Sequence, residues 1–179
     1  SDAYMRTFIQ YGTSLCYPLS AQSCHVSASP NHQCGRITPF ESRAAIAHLG
    51  ATGYELDTTK LNENELSKIK KQVEEYKQME DLVLEGDLYR LNNPLNENLF
   101  AEMLVAKDKS KAEITVMRPL CVTNGGRICI YPKGLETDSV YEVVEMGLAR
   151  TGATLMRVGL NVDFPRGDFQ TKTFTIKKI

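Results

Sequence analysis

The stretch from Gln22 to Phe40 contains most of the side chains that could do chemistry in this chain. His25 and Ser27 lie in a short run of small and apolar residues. The polar side chains that follow them are His32, Gln33 and Arg36. Imidazole, hydroxyl, amide and guanidinium groups can bind hydroxyls or a carboxylate. A loop this polar more often satisfies its own backbone, and we favour that role for it. His25 and Ser27 could line a site or be hydrogen-bonded core residues, and the residues alone favour the second.

Two other chemistries are conceivable in the same stretch. The pairs Cys24-His25 and His32-x-Cys34 could be imagined as a metal site. Zinc sites are usually built from two pairs of ligands with a short spacing within each pair, and only one of the two pairs here comes close to such a spacing. A nucleophile pair of Cys24 and His25 is disfavoured because neighbouring residues on a strand point to opposite faces. We therefore expect no metal and no cofactor.

The elements that must position these side chains can be predicted from the same stretch. Ser23 to Ala28 is a candidate covered strand, and turn residues then predict a loop. Thr38 can cap a helix with Glu41 three residues later, and Pro39 suits its first position. The helix body would run from Glu41 to Leu49. Strand, loop and helix form the unit of a parallel sheet, in which the loops after the strands build the site.

A second such unit follows. Gly53 to Asp57 is a candidate strand, and Asn62 with Glu65 resembles a capping box. Apolar residues then recur at near-helical spacing and predict a long helix: Leu66, Ile69, Val73, Tyr76 and Leu82. His48 is expected to be a packed helix histidine.

From Gly86 onward the pattern changes to short strands separated by turn residues. About seven strands without a clear helix predict an antiparallel β-sandwich. The candidate strands are Asp87 to Leu91, Leu99 to Ala106, Ala112 to Arg118, Arg127 to Tyr131, Val140 to Glu145, Thr154 to Val162 and Phe169 to Ile176. The expected buried residues include Ile114, Val116, Ile128, Ile130, Val143 and Phe174.

Composition limits the class of protein. The 179 residues carry a net charge of −1 without a basic stripe, so we expect no nucleic-acid partner. No apolar run approaches the roughly 20 residues that span a bilayer, and the N-terminus is unlike a signal peptide, so we expect no membrane. Five cysteines are an odd number at irregular spacing. They predict reduced, buried thiols in a cytoplasmic protein.

The chain also resembles a known family. The block that begins at His25 reads His-Val-Ser-Ala-x-Pro-Asn-His-Gln-x-Gly-Arg-x-Thr-Pro. It is similar to a block of the microbial α-galactosidases of glycoside hydrolase family 36. Further matching blocks occur in order along the chain: Ile9 to Ser14, Gly53 to Asp57, Gly86 to Leu91 and Gly167 to Gln170.

The resemblance implies a fold and a place in a larger enzyme. A (β/α)₈ barrel needs about 250 residues, so the chain can hold only its last βα units. We expect residues 1–85 to be the C-terminal part of the catalytic barrel and residues 86–179 to be a C-terminal β-sandwich domain. The chain would then be the last quarter or so of a homo-oligomeric enzyme.

The resemblance also implies an activity. The family is a retaining glycosidase with two catalytic carboxylates, and it acts on galactoside oligosaccharides such as melibiose and raffinose. Both catalytic Asp blocks are expected upstream of this chain, and Asp2 would then be adjacent to the acid/base block, either behind the site in a supporting role or at the surface. No catalytic residue is therefore assigned here, while His25 and Ser27 are the candidates for substrate binding. The alternative from another class is a carbohydrate-binding or structural β-module without catalysis.

Overall fold

The structure, a computed structural model, describes residues Ser1–Ile179. The chain forms two compact units, Ser1–Leu84 and Glu85–Ile179. The helices are α1 (Ala3–Thr13), α2 (Phe40–Ala47), α3 (Glu63–Glu85) and α4 (Gly152–Val158). The strands are β1 (Ser23–Ser27), β2 (Ala51–Glu55), β3 (Asp87–Arg90), β4 (Phe100–Val105), β5 (Lys111–Arg118), β6 (Ile128–Ile130), β7 (Val140–Val143), β8 (Leu148–Thr151), β9 (Leu160–Val162) and β10 (Gln170–Lys178).

The first unit is built on a parallel β1–β2 ladder with α2 as the crossover. This confirms the predicted strand, loop and helix. Alternate residues of β1 point to the helix layer, where Cys24 and Val26 are buried against three residues of α2: Phe40, Ala44 and Ala47. β2 is shifted by two residues toward the N-terminus relative to the predicted strand. It does not reach Asp57, because Asp57 accepts a hydrogen bond from the Thr59 N–H and starts a 3₁₀ turn instead.

The start of α2 differs from the prediction. Pro39 is the N-cap residue, and no side chain caps this helix. The Thr38 N–H donates to Ser29 Oγ at 3.2 Å, and Glu41 is paired with Lys68 at 2.6 Å. The predicted capping box was therefore wrong: Thr38 lies outside the helix and its backbone closes the preceding loop.

The other two helices of this unit begin at side-chain caps. α1 was not predicted, and it starts where the Asp2 carboxylate accepts from the Met5 N–H. The predicted box at the start of α3 is confirmed, because the backbone N–H groups of Asn62 and Glu65 donate to each other's side chains. Only the later part of the long α3 is well covered, which leaves Leu66 and Val73 exposed against expectation. None of the four helices combines the length and apolar character needed to cross a membrane.

The second unit is an antiparallel β-sandwich, as predicted. One sheet has six strands in the order β3-β4-β5-β10-β7-β8, and β6 pairs with β9 in a second sheet. Both sheets contribute to one core, which also includes Leu155 of α4. Five of the six expected core residues are buried, and Ile128 is partly buried against the same core.

The predicted strand from Thr154 to Val162 was wrong in its first half. Residues Gly152–Val158 form α4, and only Leu160–Val162 is a strand. The helix starts because Thr151 Oγ1 accepts from the Thr154 N–H and because the Gly152 N–H donates to the Ser139 carbonyl. A helix of seven residues is too short to show a 3.6-residue period, so its pattern resembles that of a strand.

Candidate functional site

His25 and Ser27 lie on the same face of the β1–β2 ladder. The register pairs His25 with Gly53 and Ser27 with Glu55. Since Cys24 and Val26 face the helices, these residues occupy the opposite face. In a (β/α)₈ barrel that face is the interior, and the carboxyl ends of the strands form the active-site side. The structure therefore brings both sequence-predicted residues to the face on which a barrel site would be built.

Two charged side chains from other elements meet His25. Arg6 of α1 is 6% exposed, and its Nη2 contacts both ring nitrogens of His25, Nδ1 and Nε2. Glu55 Oε2 lies 2.8 Å from His25 Nε2. A guanidinium only donates and a carboxylate only accepts, and a neutral imidazole ring has one acceptor nitrogen and one N–H donor.

The neutral ring is favoured. Burial lowers the pKa of His25 below its ordinary value, and the positive charge of Arg6 lowers it further. Glu55 opposes this shift. A neutral ring can accept from Arg6 at Nδ1 and donate its Nε2–H to Glu55, and the exposed Glu55 carboxylate keeps acceptor capacity for a further group. Opposite the ring, no atom lies within 4 Å of the point where a Cβ of Gly53 would be, which leaves open space beside His25.

Ser27 is held in place through its backbone at the end of β1. Its carbonyl accepts from Arg43 Nη1 at 2.6 Å. Arg43 is buried, its guanidinium lies over the Phe40 ring at 4.7 Å, and it pairs with Glu65 at 3.6 Å. Burial lowers the pKa of Arg43, while the charge of Glu65 opposes this effect. Contacts from α2 and α3 thus fix the position of Ser27.

The polar loop after β1 satisfies its own backbone, as predicted. Asn31 Oδ1 accepts from the N–H groups of Gln33 and Cys34 at 3.0 and 3.3 Å. The Asn31 N–H donates to the Arg36 carbonyl, and Gly35 takes the positive φ of 67° that this tight turn requires. His32 and Gln33 are exposed and do not join His25.

Asp2 is buried, which excludes the surface position and leaves the supporting position as the remaining one of its two expected roles. Its carboxylate accepts from Arg36 Nη1 at 2.6 Å and from the Met5 N–H at 2.9 Å. It lies at the start of α1, and the structure gives it no contact with His25 or Ser27.

His48 and the cysteines lie apart from this face. His48 is buried against Tyr76 with 5.5 Å between ring centroids, as expected for a packed histidine, and burial lowers its pKa to about 4. All five cysteines are free thiols, but only Cys24 is fully buried, so the expectation of buried thiols was wrong. No group of three or more His, Cys, Asp or Glu side chains is arranged to hold a metal ion.

Sequence reasoning missed Arg6 and Glu55. The period of two in a strand could have indicated Glu55, because it shares a face with Gly53 in the predicted second strand. Arg6 could not have been found in this way. It lies on a helix 19 residues before His25, and no sequence period relates the two positions.

Comparisons with known proteins agree with this architecture. Residues 1–86 match the Melibiase family model, and residues 100–176 match the model of the glycosyl hydrolase family 36 C-terminal domain. The chain is 40% identical over its whole length to alpha-galactosidase AgaA of Geobacillus stearothermophilus. It is 41% identical, again over its whole length, to alpha-galactosidase Mel36A of Lactobacillus acidophilus. Each alignment covers 24% of the relative, so the chain spans about a quarter of their length.

Solved structures give the same result. A variant of the Geobacillus stearothermophilus enzyme AgaA in complex with 1-deoxygalactonojirimycin matches with a TM-score of 0.96 and 40% identity, over 99% of this chain and 25% of that one. The galactosidase domain of the alpha-galactosidase-sucrose kinase AgaSK matches with a TM-score of 0.96 and 36% identity, over the same shares. The chain therefore belongs to glycoside hydrolase family 36 and corresponds to the C-terminal portion of its α-galactosidases.

Proposed function

We propose that this chain is the C-terminal portion of a retaining α-galactosidase that removes terminal α-linked galactose from oligosaccharides. The observation that carries the proposal is the extent of the likeness: 99% of the chain aligns with solved α-galactosidases at 36–42% identity. Variants of the relative AgaA have been solved in complex with raffinose and with stachyose. We infer oligosaccharides of this type as the substrates.

The reaction needs two carboxylates about 5–5.5 Å apart, one as nucleophile and one as acid/base. In the first step the nucleophile forms a covalent bond to the galactosyl group and the rest of the substrate leaves. In the second step water hydrolyses this bond and releases galactose with the original anomeric configuration. By the family pattern, both carboxylates lie upstream of Ser1. The contribution of this chain is then to complete the barrel and to bind the sugar.

His25 and Ser27 are the proposed sugar-binding residues. Support comes from their shared face, from the open space beside His25 at Gly53, and from the unsaturated acceptor capacity of Glu55. A neutral imidazole held by Arg6 and a carboxylate at the strand end can together bind a sugar hydroxyl. Because these groups bind without breaking bonds, they act on substrate affinity more than on the chemical step.

Turnover by the full-length protein that carries this chain tests the activity. We expect hydrolysis of a nitrophenyl α-galactoside and of raffinose, with the α-anomer of galactose as the first product in proton NMR. First formation of the β-anomer would contradict a retaining mechanism, and no turnover of either substrate would contradict the activity. The 179-residue chain by itself should be inactive, and turnover by it above that of an Asp2→Asn variant would contradict the expected upstream position of the nucleophile.

Two substitutions in the full-length protein test the binding residues. His25→Ala and Ser27→Ala should each raise KM about 10-fold while kcat changes little, since a lost hydrogen bond is worth about 1–1.5 kcal/mol. Ser67→Ala is the matched control, because Ser67 is exposed on α3 and donates only to the Asn64 carbonyl. An unchanged KM in both variants would exclude these two residues from the sugar site.

The alternative of a carbohydrate-binding β-module has less support. Such platforms stack sugar rings on exposed aromatic side chains. In the second unit Tyr131 is the only large aromatic side chain that is mostly accessible, while Tyr141 is fully buried. Galactose binding by the isolated chain would favour this alternative. A cytoplasmic location and a homo-oligomeric full-length enzyme belong to the proposal, and cell fractionation and light scattering test them.

A further inference from the structure

Asp2 and Arg36 form an ion pair between two separate parts of the first unit, in which Asp2 is buried and Arg36 is partly exposed. Only 1% of the Asp2 side chain is exposed, and 27% of that of Arg36. Asp2 Oδ2 accepts from Arg36 Nη1 at 2.6 Å, while Asp2 Oδ1 accepts from the Met5 N–H. The Cys34 thiol lies 3.8 Å from Asp2 Oδ2, and the Arg36 guanidinium lies 4.8 Å from the centre of the Tyr4 ring. Both ends of the pair are thus held by further contacts.

The pair lies at the site end of the unit. A helix that leads into a parallel strand runs antiparallel to it, so the start of α1 is at the same end as the loop that leaves β1. The contact between Asp2 and Arg36 confirms this placement. The loop that carries Arg36 begins immediately after Ser27, and therefore beside the proposed sugar-binding face.

The loop can transmit the position of Arg36 to Ser27 because it is closed on itself. The Asn31 N–H donates to the Arg36 carbonyl at 2.9 Å, and the Thr38 N–H donates to Ser29 Oγ at 3.2 Å. Arg36 is therefore hydrogen-bonded back to the part of the loop that directly follows β1. A shift of Arg36 would move Ser29 and its neighbours, and with them the end of the strand.

Stability alone does not require a charge at position 2. Asn caps helices about as well as Asp, and the partly exposed Arg36 can remain hydrated when the charge at position 2 is removed. What the pair supplies is a fixed geometry between the entry of α1 and the loop after β1.

We propose that Asp2 and Arg36 are positioning residues for substrate binding, which fix the loop after β1 and through it Ser27. This inference rests on the proposed function. The two residues need not touch the sugar themselves, and they act through the residues that do.

The test uses the full-length enzyme. Asp2→Asn keeps the cap of α1 but removes the charge, and Arg36→Lys keeps the charge but loses the planar fork and its stacking on Tyr4. We expect each variant to raise KM for a nitrophenyl α-galactoside about 10-fold, with kcat changed less than about threefold, because small misplacements of binding groups are costly. Asp57→Asn is the matched control, since Asp57 also caps a helical turn of this unit but is exposed, and its KM should not change.

A double-mutant cycle separates positioning from simple destabilisation. If Asp2 acts through Ser27, the effect of Asp2→Asn on KM should shrink to less than about threefold in a Ser27→Ala background. The inference is overturned if the variants that fold keep the wild-type KM, including the case in which only their unfolding temperature falls. It is also overturned if Asp2→Asn raises KM by the same factor in the Ser27→Ala background as in the wild-type enzyme. Failure of the proposed function is distinct, because the unmodified enzyme itself would then hydrolyse no α-galactoside.

Discussion

A buried carboxyl group in the β-sandwich should make the stability of this domain depend on pH near neutrality. Glu102 of β4 is completely buried, and neither carboxyl oxygen has a hydrogen-bond partner. Burial raises the pKa of Glu102 from 4.5 to about 7, although the charge of Arg90, directly opposite on β3, lowers it. The folded state therefore keeps this group neutral over a pH range in which the unfolded chain ionises it.

The sign and size of the effect follow from proton linkage. Between pH 4.5 and 7 the folded state binds more protons at Glu102, so stability falls as pH rises through this window. A pKa difference of about 2.5 corresponds to about 3 kcal/mol in total, of which about 2–3 kcal/mol should appear between pH 5 and pH 8. Glu102→Gln removes the titration while it keeps the shape of the side chain.

Urea unfolding of the 179-residue chain, followed by circular dichroism at pH 5 and pH 8, measures the effect. We expect the free energy of unfolding of Glu102→Gln, relative to wild type, to increase by about 2–3 kcal/mol from pH 5 to pH 8. Glu142→Gln is the control, because Glu142 lies in the same sheet and is partly exposed. A difference between Glu102→Gln and wild type that does not vary with pH would refute the reasoning.

Three further predictions concern caps, packing and acid stability. Burial lowers the pKa of His48 to about 4, so the folded state keeps this side chain neutral. The free energy of unfolding should therefore fall by about 2–3 kcal/mol as pH falls from 6.5 to 4. His48→Gln should reduce that loss in urea titrations. Asn62→Ala should cost about 1 kcal/mol in the same assay, because it removes the side-chain acceptor for the Glu65 N–H; an equal loss in the neighbouring Asn64→Ala would refute the capping argument. In Gly152→Ala the new Cβ would lie 2.0 Å from the Glu136 carbonyl oxygen, so the unfolding temperature should fall strongly, by an amount corresponding to about 3 kcal/mol or more; Gly126→Ala, whose Cβ would meet no atom within 4 Å, should leave it nearly unchanged.

The sequence by itself determined the features that depend on near neighbours. The capping box of Asn62 and Glu65 formed because both partners are fixed by one turn of the same helix. The alternation of β5 placed Ile114 and Val116 in the core because successive strand residues point to opposite faces. The family blocks likewise lie in order along the chain and can be identified without any structure.

Only the tertiary structure decided which side chains meet across distant segments. Arg6, His25 and Glu55 come from a helix and two strands, and no local period relates their positions. Asp2 was expected at the surface or in a supporting role, and only folding could bring Arg36 to it across 34 residues. Gly152–Val158 became a helix because the carbonyls of Thr137 and Ser139, in the segment before β7, accept from its first N–H groups. Local propensity is too weak to decide such cases, because the burial and hydrogen bonding supplied by remote residues are worth more than the preference of a few residues for helix or strand.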